Sequence, residues 1–355
     1  MRGVIFMTSI NQKNEPLLAY LNNTVKYEDH KVVLLNRRLY PEETKYVTCS
    51  SHYEVAVAIE EMTIQGAIVI AIAAGYGFGL AFEQKPELSG DALKTYAQEV
   101  YDRLMSTRPT GQRLKVILDK CMTEVNTGIA NEKKGAELAR NLTSLMNQEV
   151  EDADNIAIAC GKNTANLLED GDKVLTHCFA DSALIHMLLE AKRQNKEIEM
   201  YCTETRPYFQ GARLTAHSIK ETGTKVTLVT DNMPGFLMEQ GMVTKLVTAA
   251  DKITLDGHVC NKIGTYQYAV VAQYHNIPFY VLGYEGPDEN SPNTDQIEIE
   301  YRNAEEVFYA RGVRTAVEGI NGLYPSFDIV TPNFVDAIVT DKGVFAARDI
   351  SQHLK

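Results

Sequence analysis

The chain has 355 residues, 45% of them hydrophobic, with a formal net charge of -12 and a pI near 5.2. That length exceeds what one core usually fills, so two domains are expected, residues 1–150 and 151–355. The acidic balance excludes nucleic acid and anionic membrane surfaces as default partners, because both require an electropositive face.

The opening stretch, MRGVIFMTSINQKNEP, carries one arginine and a short apolar run broken from Asn11 to Glu15. It reads as neither signal peptide nor membrane span. Val32 to Pro41 and Lys45 to Cys49 hold β-type residues around a proline-containing turn, which predicts a small antiparallel piece. Ser50 or Ser51 then caps a helix through Met62, with Val55, Ile59 and Met62 at helical spacing. After a break at Gly66, Ala67 to Phe82 is apolar on every face and predicts a buried helix. Its GYGFG stretch lies inside that helix instead of after a strand and lacks GxGxxG spacing, which counts against a nicotinamide oxidoreductase. Further helices are expected at Asp91–Ser106, Gly111–Thr123 and Asn131–Asp152.

From Lys173 the rhythm changes. Lys173–Cys178, Glu197–Cys202, Lys225–Thr230, Lys245–Ala250, Pro278–Leu282 and Asp336–Thr340 are short β-rich runs, with helix-length segments between the first five. That spacing predicts right-handed βαβ crossovers. The expected fold is therefore α/β: a small mixed, mainly helical N-terminal domain followed by a Rossmann-like domain with a mostly parallel sheet.

Open α/β sheets hold ligands outside the carboxyl ends of their strands. Cys178, Glu204, Asp231, Asp251 and Glu285 all fall at or just past such ends. A thiol and a carboxylate on one edge form a candidate acid/base pair. Each residue also has a structural reading: Cys178 as a core thiol, Asp251 as a turn cap, Arg206 as a partner for Glu204, Asp231 as a helix cap. Cys202 and Cys260 read as packing. The six cysteines have no CxxC or metal-like spacing and read as reduced thiols of a cytoplasmic protein, and the eight histidines form no ligand cluster.

The stretches TRPYFQGARLTA, VTLVTDNM, AADKI, DGHVCNKIGTYQYAVVA and IPFYV resemble the C-terminal domain of the 5-methylthioribose-1-phosphate isomerase family. The relatives of that family include ribose-1,5-bisphosphate isomerase and the regulatory α, β and δ subunits of initiation factor 2B. In the N-terminal half LLNRRLYPEET, IQGAIVIAIAAGYG and STRPTG resemble the family's LPxET, RGAPAIGxxAAYG and SRPTA stretches. The resemblance implies Cys178 and Asp251 as catalytic residues. It implies Gln65, Gly66, Ala67, Arg108, Gln210, Asn261 and Lys262 as substrate-binding residues, with no metal and no organic cofactor. It further implies a homodimer acting on a small sugar phosphate. Three positions depart from the family: Gln65 replaces an arginine, Cys178-Phe179-Ala180-Asp181 replaces CNAG, and Ala249 replaces the glycine of GAD. The expected activity is conversion of a 5-substituted aldopentose 1-phosphate, such as 5-methylthioribose or 5-deoxyribose 1-phosphate, to the ketose 1-phosphate. The alternative is a non-catalytic initiation factor 2B-like regulatory subunit that binds a phosphorylated small molecule; an enzyme needs both Cys178 and Asp251, and both are present.

Overall fold

The computed structural model describes residues 15–109 and 111–355. The opening stretch read above, up to Asn14, and Thr110 of STRPTG lie outside the described residues. Two compact units emerge, Tyr20–Asn155 and a second formed by Ile156–Lys355 with the described residues up to Ala19.

The first unit begins with an antiparallel sheet, β1 (Val25–Glu28), β2 (Lys31–Leu35) and β3 (Tyr46–Cys49), in which Val32 pairs with Cys49 and Val25 with Leu34. Helices α1 (His52–Glu60), α2 (Ala67–Glu83), α3 (Gly90–Met105) and α4 (Gln112–Ala130) follow, then the long α5 (Gly135–Ala165), which runs through position 150 and contributes to both units. Ser51 is the cap of α1: its hydroxyl accepts from Glu54 N at 3.2 Å. The GYGFG glycines serve packing, since a Cβ at Gly77 would press on Val55 at 3.2 Å. The helix predicted from Asn131 starts later and runs further, because 131–134 forms the turn that closes α4.

The second unit is built on a seven-stranded sheet. Its strands are β4 (Lys173–Thr176), β5 (Glu199–Thr203), β6 (Lys225–Val229), β7 (Lys245–Ala249), β10 (Phe279–Tyr284), β14 (Ala337–Thr340) and β15 (Gly343–Phe345), in the order β15-β14-β10-β7-β4-β5-β6. All neighbours are parallel except the edge strand β15. Helices α6 (Asp181–Arg193), α7 (Ala216–Glu221), α8 (Pro234–Glu239) and α9 (Thr265–Tyr274) supply the crossovers. The chain lays β5 and β6 on one side of β4, then returns to lay β7, β10 and β14 on the other, so β4 and β7 flank a topological switch.

A second sheet went unread in the sequence. β8 (Lys252–Ile253), β9 (Val259–Lys262) and β13 (Phe327–Val330) form an antiparallel trio in the order β13-β9-β8, and β11 (Tyr309–Ala310) pairs with β12 (Val313–Arg314). Asn261 and Lys262 therefore lie on a strand, and the helix starts only at Thr265. Among the described residues no helix is long and apolar enough to cross a membrane.

Gly161 of α5 lies against α6 so closely that a Cβ would stand 2.6 Å from Ala183 O and 2.7 Å from His186 Cβ. Because one of those neighbours is backbone, the contact cannot relax by a rotamer change. Gly161→Ala is expected to lower stability by about 1–3 kcal/mol, read as a lower urea midpoint.

Candidate active site

Cys178 and Asp251 each stand two residues past the end of adjacent strands, β4 and β7, at the switch. Strand ends there diverge into opposite crossovers and leave a crevice between their loops.

The Cys178 turn is held in an unusual backbone conformation. Cys178 and Asp181 have φ of 60° and 58°, the left-handed region that favours glycine. Surrounding bonds hold the turn there. Cys178 N donates to Thr205 Oγ1 at 3.1 Å, and Thr215 Oγ1 donates to Cys178 O. The Tyr284 hydroxyl donates to Ala180 O at 2.8 Å and accepts from Ala183 N at 3.1 Å, satisfying the start of α6. The Asp181 carboxylate accepts from Ser182 N at 3.1 Å. Thus the two departures at Phe179 and Asp181 sit in a turn whose shape is set by side chains elsewhere.

Of the six cysteines, five are buried and Cys178 is partly exposed. Burial pushes the Cys178 thiol up to about 11, with Lys262 the first of the influences that pull it down and Asp251 adding to the rise. Asp251 keeps solvent-exposed surface while protein surrounds its carboxyl. Desolvation raises its pKa, opposed by Lys262 and Arg302. Lys262 is buried, and burial lowers its pKa against the attraction of Cys178 and Asp251. Its ammonium stands 4.6 Å from the centre of the Phe327 ring, its direct partner across β9 and β13.

Arg302 is the residue that sequence reasoning missed. Its guanidinium meets Glu300 through Nε at 2.8 Å and Nη2 at 3.3 Å and lies 5.7 Å from both the Tyr208 and Phe327 rings. Phe327 thus faces two cations, Lys262 and Arg302. Nothing in the spacing of Glu300, Arg302 and Phe327 along the chain marks them as neighbours of Cys178.

The other strand-end groups mostly build the loop after β5. Asp231 accepts from Thr205 N at 2.8 Å and Arg206 N at 2.7 Å, so it braces that loop and is not a helix cap. Arg206 donates to the carbonyls of Tyr309 at 2.7 Å and Val307 at 3.1 Å, holding the loop to the start of β11 and the segment before it, with Glu204 an electrostatic neighbour. Gln210 precedes Gly211, where a Cβ would collide with Thr203 O; only glycine lets this turn close on β5. The Asn261 amide is buried and donates to Thr265 Oγ1 at 3.0 Å, so it also fixes the start of α9. Asp328 accepts from Gly264 N at 2.7 Å and Tyr266 N at 3.1 Å, and burial outweighs those bonds to lift it to about 6.

In the Tyr20–Asn155 unit, Gln65, Gly66 and Ala67 lead into α2, with Gly66 at φ 97°. The buried Arg37 donates to Gln65 O at 2.7 Å. Arg108 donates to Ile59 O at 3.2 Å and meets Met62, so within this unit it lies beside the same α1–α2 connection. Among the described residues no group of three or more His, Cys, Asp or Glu is arranged to hold a metal ion.

Residues 63–347 match the Initiation factor 2 subunit family. A methylthioribose-1-phosphate isomerase of Thermotoga neapolitana is 38% identical over 329 residues, 90% of this chain and 94% of that protein. A putative methylthioribose-1-phosphate isomerase of Methanocaldococcus jannaschii is 35% identical, covering 90% of this chain and 93% of that protein. Among solved structures, the 5-methylthioribose 1-phosphate isomerase from Pyrococcus horikoshii OT3 matches with a TM-score of 0.82 at 31% identity, covering 93% of this chain and 94% of that one. The translation initiation factor eIF-2B, subunit delta, from A. fulgidus matches at 0.78 with 33% identity, covering 91% and 95%.

Because Cys178 is partly exposed and burial pushes its thiol up to about 11, iodoacetamide is expected to label it before the five buried cysteines. The labelling rate should rise roughly tenfold per pH unit from neutrality toward pH 10. A rate that levels off below pH 9, followed by peptide mass spectrometry, would contradict the desolvated environment.

Proposed function

The chain belongs to the Initiation factor 2 subunit family, and on that premise we propose that it is an aldose–ketose isomerase of the methylthioribose-1-phosphate isomerase type, with Cys178 and Asp251 as its catalytic pair. The observation that carries this reading is the placement of a thiol and a desolvated carboxyl on adjacent strand ends at the switch, with Lys262 in electrostatic reach of both. An enzyme needs both members of that pair, whereas a regulatory subunit can lose either.

An aldose 1-phosphate cannot open to a free aldehyde, because its anomeric oxygen carries the phosphate. Asp251 protonates the ring oxygen as the C1–O bond breaks, while the Cys178 thiolate removes the proton from C2. An enol with a C1–C2 double bond results. Asp251 then recovers a proton from the C2 hydroxyl as the carbonyl forms, and Cys178 delivers its proton to C1. The raised pKa of Asp251 supports the acid role, since it keeps its proton to higher pH. A thiolate with a pKa near 11 is a strong base once formed, and Lys262 and Arg302 are the charges that favour its formation.

The substrate is a 5-substituted aldopentose 1-phosphate. Gln65, Gly66, Ala67, Arg108, Gln210, Asn261 and Lys262 remain its binding candidates on the strength of the resemblance, with Phe179 and Asp181 as the changed positions beside the thiol. The same reading carries a cytoplasmic homodimer, to be checked by sedimentation.

A coupled assay on 5-methylthioribose, 5-deoxyribose and ribose 1-phosphates tests the activity. Cys178→Ser and Asp251→Asn are each expected to lower kcat by about a hundredfold or more; unchanged turnover in both removes the assignment. The active form needs Asp251 protonated and Cys178 ionised, a small fraction that is constant between the two pKa values. Consequently kcat/KM should be flat from above the Asp251 pKa up to about 11, and fall about tenfold per unit as pH drops below the Asp251 value. A profile that climbs through the whole range from pH 6 to 10 would exclude this protonation state.

A further inference from the structure

His177, the neighbour of Cys178, is absent from the mechanism above and is 2% exposed. Its ring stands 2.9 Å from Ile263 O through Nε2 and 2.5 Å from Thr203 Oγ1 through Nδ1. A carbonyl only accepts, so Nε2 carries the proton and Nδ1 accepts from the Thr203 hydroxyl. At the other end, Cys178 N–H donates to Thr205 Oγ1 at 3.1 Å, and the Thr205 and Thr203 hydroxyl oxygens are 3.5 Å apart. The ends fix two directions, Cys178 N–H to Thr205 and Thr203 to His177 to Ile263 O, and the Thr205 hydroxyl between them faces both Thr203 Oγ1 and Thr203 O at 3.5 Å. His177, Thr203 and Thr205 are buried, and the two ends, at Cys178 and Ile263, are partly exposed.

We propose that His177 is the positioning residue of the site, a neutral imidazole that ties the Cys178 turn to the end of β9 and so sets the distance between thiol and Lys262 ammonium. Three further contacts support that role. Tyr268 stands edge-on to the imidazole at 5.0 Å and donates its hydroxyl to Asp231 O at 2.8 Å, so the ring cannot swing. Gly264, at φ 107°, leaves room for it: a Cβ there would come within 3.2 Å of Nε2. Burial, with Lys262 contributing, holds His177 down at about 4, so the ring stays uncharged through the working range. The bond to Ile263 O fixes the backbone beside Lys262, the group that most opposes the rise of the thiol pKa. The other charges facing that thiol are Asp251 and Arg302, with the Tyr324 hydroxyl beside them, and His177 touches none of the three through the bonds described.

The inference rests on the isomerase reading for its catalytic meaning, but its first test uses no substrate. The pH profile of Cys178 alkylation is measured in the full chain for the parent, His177→Gln and His177→Asn. Glutamine reaches the Ile263 carbonyl with its amide nitrogen, whereas asparagine is too short. His177→Asn is expected to move the profile up by about half a pH unit, a roughly threefold slower labelling at fixed pH, and His177→Gln to restore most of it. In the coupled assay the same asparagine variant should lose about tenfold in kcat with KM within a factor of about three. Should His177→Asn fail to fold, the isosteric Thr203→Val breaks the chain one link earlier and is expected to give a smaller shift of the same sign. Folded variants with the parental alkylation profile overturn the proposal, even if turnover falls. A shifted profile in a chain that turns over none of the sugar phosphates upholds the positioning and overturns the isomerase reading instead.

Discussion

Reversal of strand order between β4 and β7 is the constraint from which the site follows. Both strands are central, so their side chains are spent on the core: Val174, Leu175, Leu246 and Val247 are fully buried. Only the residues just beyond their carboxyl ends are released from packing, and the crossovers that leave in opposite directions keep those loops from covering each other. The return of the chain after β7 completes the arrangement. Asp251 N donates to Cys260 O at 2.9 Å, so the hairpin of β8 and β9 begins at the candidate acid itself and brings Lys262 back to the same edge. One topological event thus delivers thiol, carboxyl and ammonium to one place, although they lie far apart in sequence.

Opposing electrostatic effects meet there. Desolvation keeps the thiol and the carboxyl in their neutral forms and lowers Lys262, so a pocket of these groups alone would tend to shed charge. Arg302, which keeps its proton under any condition, anchors the positive side. Glu300 and the Tyr208 and Phe327 rings fix its guanidinium, and the face of Phe327 receives both cations without neutralising either. An acidic protein of net charge -12 therefore sets two cations against one aromatic ring, with Glu300 paired to Arg302.

Much of the fold was legible because it is locally encoded. Ser51, the all-apolar run from Ala67 and the β-rich runs from Lys173 each announce an element through composition and period. Cys178 and Asp251 were legible as strand-end residues for the same reason. What stayed hidden depends on pairing between distant residues. β9 and β13 are four-residue strands whose register, Lys262 opposite Phe327, has no trace in either segment alone. Arg302 joins the site through that register, and Asp231 was ambiguous until the amides of Thr205 and Arg206 were found on its carboxylate. Phe179 and Asp181 were visible as departures, yet the left-handed backbone that makes position 181 a place for glycine was not.

The five buried cysteines have a bearing on how this protein ages. Peroxide and disulfide exchange attack thiolates, and burial holds these sulphurs at pKa values of about 11 to 12. Cys178 shares that protection at rest despite its partial exposure, since its own pKa is near 11. The desolvation that would make the thiol a strong base during turnover also makes it a slow target for oxidants between turnovers, and a chain that is inert while idle can afford to leave its reactive sulphur open to solvent.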